Sequence, residues 1–164
     1  VACTHNGYVD IFNLAASIYP REIHFMAKKE LFEIKGLGWL INRLNAFPVD
    51  RANPGPSVIK IPRKLLKEGK IVGIFPSGTR TTESTSLKAG AVTIAHLSKA
   101  QILPAAYIGP KNMKGVFKRE KAYLIYGKPF TVDASKEARE EASQFLEAEL
   151  VRLTAELEAK INKK

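Results

Sequence analysis

One cysteine, Cys3, stands in 164 residues. No internal disulfide can form, and the chain gives no argument for an oxidising compartment. No uninterrupted apolar run approaches the roughly 18 residues that a membrane-crossing helix needs. A Gly-x-Ser-x-Gly elbow is also missing, which removes the usual sequence support for a serine acyl-enzyme. The segment Ser77-Gly78-Thr79-Arg80 lacks the Gly-Lys-Ser/Thr ending of a phosphate-binding P-loop. No group of His, Cys and carboxylates has metal-ligand spacing, so no metal requirement is expected. With no recognised nucleic-acid-binding motif and no patterned aromatic platform, no nucleic-acid partner is expected.

What the chain does have is positive charge, 26 Lys/Arg against 16 Asp/Glu for a net +10. It is unevenly spread. Residues 135–164 hold six basic and seven acidic side chains, which leaves twenty basic against nine acidic in residues 1–134. Such a surplus draws anions in general, whether lipid surface, phosphorylated substrate, acidic carrier protein or nucleic acid, and fixes only the sign of the partner.

Hydrophobic patterning points to an α/β fold. Short apolar runs at residues 1–3, 23–27, 46–49, 71–75, 102–108 and 122–126 read as strands and alternate with helical segments. Helices are expected over 10–18, closed by Pro20, over 56–68, stopping before Gly69, and over 87–98. Pro62 falls inside the second of these and should kink it or force a boundary. In the C-terminal stretch Ser135 can cap a helix, and Ala142, Leu146, Leu150, Leu153, Leu157 and Ile161 recur at spacings of three and four. Its near-balanced charge favours packing on the sheet over lying in a membrane interface. The expected architecture is a mostly parallel or mixed central sheet flanked by helices, in one domain spanning residues 1–164. Phe12, Phe25, Trp39 and Phe47 read as ordinary core residues ahead of lining a substrate pocket, Cys3 as a small core residue ahead of a catalytic thiol near His5, and His96 as a packing or surface histidine. Val1 begins in what reads as mid-strand, so residues preceding it in the native chain are expected.

His5-Asn6-Gly7-Tyr8-Val9-Asp10 sets an imidazole five positions before a carboxylate. On one straight helix the two would diverge by roughly 140°. They can cooperate if His5 lies in the loop ending a strand and Asp10 in the first turn of the next helix, where the carboxylate folds back to fix the tautomer and stabilise imidazolium. Parallel strands carry their following loops to one carboxyl edge, the place where open α/β sheets bind ligands. Arg51 and Arg80 also follow strand segments, so three distant positions can surround one cleft. Each guanidinium is a rigid, permanent cation suited to phosphate.

Taken with Val49-Asp50-Arg51, Phe75-Pro76-Ser77-Gly78-Thr79-Arg80 and Ile102-Leu103-Pro104-Ala105-Ala106-Tyr107, this motif makes four ordered blocks along nearly the whole chain. The chain thereby resembles the glycerolipid acyltransferases, and within them the bacterial enzymes that act on lysophosphatidate. Asn45 and Pro48 depart from the second block's usual glycine and phenylalanine. Ser77 stands where the third block usually has glutamate, so a hydroxyl replaces a charge there.

The resemblance implies an enzyme that moves a fatty acyl group from an acyl thioester, carried by acyl carrier protein or coenzyme A, to the sn-2 hydroxyl of 1-acyl-glycerol-3-phosphate, giving phosphatidate. His5 and Asp10 would be catalytic. Arg51, Arg80, Lys28 and Gly78 would hold the substrate phosphate, with Lys28 favoured over Lys29, and Ser77 and Thr79 would be further substrate contacts. No bound cofactor is implied. An anionic membrane surface is the implied partner and the cytoplasmic face of the cell membrane the implied location, peripheral or anchored through preceding residues. Two other readings share part of these features: an acyltransferase for another lysophospholipid, and a non-catalytic basic module that binds anionic membrane.

Overall fold

The computed structural model describes residues 1–50, 55–76 and 81–163, and for residues 81–87 the helical backbone alone. Among the described residues six strands and six helices alternate in the order expected of a parallel α/β chain. They are β1 (Ala2–Cys3), α1 (Val9–Ser17), β2 (Ile23–Lys28), α2 (Leu37–Arg43), β3 (Phe47–Val49), α3 (Ser57–Lys67), β4 (Ile71–Gly73), α4 (Thr81–Ser98), β5 (Pro104–Ile108), α5 (Met113–Phe117), β6 (Tyr123–Tyr126) and α6 (Lys136–Asn162). A 3₁₀ turn, Lys29–Phe32, leads from β2 towards α2.

Two three-stranded sheets form, β3-β2-β4 and β1-β5-β6. A parallel bridge between Ala2 and Ile74 joins them, closed by Ile74 N donating to Val1 O at 2.9 Å and Cys3 N to Ile74 O at 3.0 Å. Among the described strands every ladder is parallel except β5 with β6, where Ile108 faces Tyr123 across an antiparallel ladder, and an isolated antiparallel bridge joins Ile102 to Phe130. The carboxyl ends of β1 to β5 therefore share one edge.

Alternation along the strands assigns side chains to two cores, because successive residues point to opposite faces. Ala2, Val72 and Ile74 enter one cluster with Phe47, Leu146 and Leu150. Cys3, Ala105 and Tyr107 enter the other with Leu14 and Phe25. Helix α1 covers that second face, while α3, α4 and α6 cover the first. The leucine stripe of α6 does what its spacing implies: Ala142, Leu146, Leu150, Leu153 and Leu157 are buried, and the helix lies along β5 and β6. Ser135 Oγ accepts from Ala138 N at 2.9 Å and caps its start. A second tie to α4 is ionic, Lys88 Nζ to Glu147 Oε1 at 2.5 Å, with the lysine buried.

Of the kink or boundary expected at Pro62, the boundary is absent, and helix α3 runs through it. Proline removes the bond that would close on the Val58 carbonyl, but its ring is fully buried, and the apolar contact offsets one lost hydrogen bond. The helix ends at Gly69, whose φ of +76° suits a residue without a Cβ. Phe12 and Trp39 are not core residues: they are 43% and 65% exposed, while Phe25 and Phe47 are buried as expected. Helices α2 and α5 and the 3₁₀ turn stand beside the helices expected from the sequence, being too short to show a helical period.

Leu146, with no exposed surface, is the centre of the α6 contact. Leu146→Ala is expected to lower stability by about 2–5 kcal/mol, read by urea denaturation, through lost burial and the cavity left behind. A loss below about 1 kcal/mol would show that α6 is not held on the sheet by this stripe.

Candidate active site

The loop after β1 carries His5, and the first turn of α1 carries Asp10. His5 Nδ1 lies 3.0 Å from Asp10 Oδ2. An ionised carboxylate only accepts, so Nδ1 carries the proton and Nε2 the basic lone pair. The same carboxylate oxygen accepts from Asn6 N at 2.8 Å and Gly7 N at 3.2 Å. Asp10 is thus both the partner of the imidazole and the anchor of the loop that presents it. It is 1% exposed, while the His5 side chain is 37% exposed.

The carboxyl end of β5 supports this loop from the other side. Tyr107 N donates to Thr4 Oγ1 at 2.9 Å, Asn6 Nδ2 donates to Tyr107 O at 3.0 Å, and Tyr8 N donates to Lys111 O at 3.0 Å. Gly7 is required by proximity: a Cβ there would run into the carbonyl of Lys111. From β4, the Phe75 ring packs on the imidazole with centroids 4.8 Å apart, and it stacks in turn on Phe25 at 5.8 Å. The first, third and fourth sequence blocks therefore meet around His5.

Lys28 is the last residue of β2 and is exposed at the same edge. Its neighbour Lys29 reaches Asp50, just past β3, with Nζ 3.0 Å from Oδ2. That hydrogen bond raises the Lys29 ammonium above its usual value. Lys29 thereby ties the β2 and β3 ends together, which leaves Lys28 as the better candidate for an anionic ligand. Arg51, Ser77, Gly78, Thr79 and Arg80 lie outside the described residues. Their described neighbours Asp50, Phe75 and Pro76 follow β3 and β4 at the carboxyl edge. Among the described residues no group of three His, Cys, Asp or Glu could hold a metal ion.

Cys3, two residues before His5, is buried, and burial together with the Asp10 carboxylate pushes its thiol up to about 12. A thiol held protonated is no nucleophile near neutral pH.

The sequence reading passed over Thr4, Asn6, Gly7 and Phe75 as working parts. Asn6 and Gly7 lie inside the motif, but their partners on β5 and its loop are about a hundred residues away, and no local pattern announces them.

An imidazole with an acidic orienter, set on the carboxyl edge of a largely parallel sheet, defines an α/β protein equipped for general-base chemistry. Residues 1–108 match the acyltransferase family model. The chain belongs to the acyltransferase family. It is 60% identical over 129 residues to the 1-acyl-sn-glycerol-3-phosphate acyltransferase of Bacillus subtilis, covering 79% of this chain and 65% of that protein. It is 38% identical over 138 residues to the enzyme of the same name from Streptococcus pneumoniae, covering 84% of this chain and 52% of that one. The crystal structure of the 1-acyl-sn-glycerophosphate acyltransferase of Thermotoga maritima shares the fold, with a TM-score of 0.64 at 23% identity over 93% of this chain and 64% of that one. The chain thus spans about half to two thirds of the length of these relatives.

Two outcomes follow. Gly7→Ala must push the His5 loop off the Lys111 carbonyl, so turnover should fall at least tenfold while the thermal melt of the sheet changes little; undiminished turnover would show that the loop tolerates displacement. Cys3 should resist iodoacetamide in the native chain and react fully in denaturant. Its raised folded value favours the protonated thiol, so the stability it lends is complete below about 9 and drains away as pH climbs from its ordinary 9.0 towards 12. A native chain labelled rapidly at pH 8 would contradict this burial.

Proposed function

We propose that the chain is the catalytic part of a lysophosphatidate acyltransferase, moving a fatty acyl group from acyl carrier protein or coenzyme A to the sn-2 hydroxyl of 1-acyl-glycerol-3-phosphate at the cytoplasmic face of the membrane. The observation that carries this reading is the 3.0 Å contact of His5 Nδ1 with Asp10 Oδ2 in a member of this family. The names of the Bacillus and Streptococcus relatives supply the acceptor.

A neutral alcohol is a poor nucleophile at pH 7. His5 Nε2 takes the hydroxyl proton as the oxygen attacks the thioester carbonyl, a form of assistance that contributes about 10²–10⁴-fold. Asp10 stabilises the imidazolium so formed. Collapse of the tetrahedral intermediate breaks the carbon–sulfur bond, and the imidazolium proton passes to the departing thiolate sulfur. Phosphatidate and a free thiol result, and the imidazole is ready again. No acyl-enzyme is required, because the acceptor itself attacks; Cys3, the thiol nearest His5 in sequence, is buried and protonated. The acceptor phosphate is assigned to Arg51, Arg80 and Lys28, with Gly78 giving backbone access and Ser77 and Thr79 offering hydroxyl donors.

Thiol release from both donors, assayed with a panel of lysophospholipids, tests the assignment. Lysophosphatidate should be preferred, and turnover of lysophosphatidylcholine in its place would reject the acceptor. His5→Ala should reduce turnover about 10²–10⁴-fold with the thermal melt retained. A His5→Ala variant of undiminished turnover would remove His5 from the chemistry, and a wild-type chain that binds anionic membrane but turns over no donor would be the non-catalytic basic module. Covalent labelling of the protein by radioactive donor during turnover would overturn the direct attack.

A further inference from the structure

Half of the large apolar side chains left in solvent among the described residues lie on two elements at the carboxyl edge, the rest being scattered over α1 and the residues flanking it, α4 and α6. The first is the connection from β5 to β6. Because those strands are antiparallel and paired from Ile108 to Tyr123, residues 109–122 form a hairpin loop beyond the sheet edge, and α5 lies within it. Phe117 is 81% exposed, Met113 57%, and Val116 is also exposed. Around them are Lys111, Lys114, Lys118, Arg119 and Lys121, all exposed, against the single acidic Glu120. Lys111 is the residue whose carbonyl receives Tyr8 N, so this loop abuts the loop that carries His5.

The second element is the crossover leaving the carboxyl end of β2. Ile34, Trp39 and Leu40 are exposed there. Arg43 lies over the Trp39 ring at 5.3 Å, and Lys35 is exposed beside them. Glu30 and Glu33 make this element less basic than the first. In the joined sheet β2 and β5 are separated by β4 and β1, which puts the two strand ends about 15 Å apart at the usual strand spacing, with the His5 strand between them.

We infer that the carboxyl edge of the sheet is a bilayer-docking face, in which the β5–β6 loop seats Phe117 and Met113 among the acyl chains of an anionic membrane while its lysines and arginine engage the headgroups. Apolar tips ringed by cations are what an interfacial contact requires, since apolar burial and attraction to anionic lipid act together there. Basic side chains alone would serve an acidic protein as well. Exposed Phe, Met, Trp and Ile on both sides of one site fit a broad apolar phase better than a single small partner. This face deepens the function proposed above: a lysolipid resting in the bilayer would meet His5 without leaving it.

Helix α3 is the internal control. Lys60, Arg63, Lys64 and Lys67 are exposed along it, yet the described α3 offers no exposed large apolar side chain. Co-sedimentation with vesicles of phosphatidylcholine, with and without phosphatidylglycerol, separates the possibilities. The wild-type chain should bind the anionic vesicles. Met113→Ser with Phe117→Ser should weaken binding at least tenfold, and Lys114→Gln, Lys118→Gln and Arg119→Gln about fivefold for each cation removed, the charge-dependent part vanishing at high salt. Neutralising the four α3 cations should change binding much less. All these positions are exposed, so thermal melts should be unaltered, and turnover of detergent-dispersed lysophosphatidate should survive the β5–β6 loop variants. Binding is read without turnover: a chain that docks but acylates nothing leaves this inference standing, and a chain that acylates dispersed substrate but ignores vesicles overturns it alone. It is equally overturned if the loop variants bind vesicles like wild type, if the α3 variant loses as much, if the loop variants lose affinity only for acyl carrier protein, or if they abolish self-association of the chain with vesicle binding intact.

Discussion

One oxygen atom organises the site. Asp10 Oδ2 accepts from His5 Nδ1, Asn6 N and Gly7 N, so the turn between β1 and α1 is wound around a buried carboxylate. Burying that charge is costly unless donors surround it, and here one of the donors is the imidazole that the proposed chemistry uses. Position and tautomer of His5 are therefore by-products of satisfying Asp10 Oδ2. The sheet supplies the rest: β5 holds Thr4 and Asn6 through Tyr107, and β4 brings Phe75 against the ring.

Much of this was legible in advance, for identifiable reasons. The pairing of His5 with Asp10 follows from their spacing once a strand end and a helix start are placed between them. The six strand segments carry apolar runs that only a sheet buries efficiently, and the leucines of α6 recur at helical spacing across the whole helix. Local pattern is silent on sheet order, however. The neighbourhood of β1 with β5 and β4 joins residues some seventy to a hundred positions apart, and so the contacts of Gly7 with Lys111 and of His5 with Phe75 could not be anticipated. At Pro62 the local signal left a kink or a boundary open, and the helix continues past the buried ring without a boundary. Trp39 and Phe12 were read as core because aromatic residues usually are, yet both face solvent. Arg51 and Arg80, which the family resemblance marks for phosphate, lie outside the described residues, and their role rests on the motif.

The exposed aromatics and the uneven charge belong together. A net positive chain attracts any anion, but the cations of the β5–β6 loop are interleaved with Met113, Val116 and Phe117 beside the His5 loop. That arrangement gives the general surplus a direction. Lysophosphatidate, an amphiphile with an anionic head, is the kind of acceptor for which one edge would carry both the base and the surface contact.

Cooperation between His5 and Asp10 is the central claim, and a double-mutant cycle on kcat/KM measures it directly. If Asp10 acts through the imidazole, adding Asp10→Asn to His5→Ala should cost almost nothing further, so the two losses are strongly non-additive. Losses that multiply would mean that the two side chains act independently, and the account would fail.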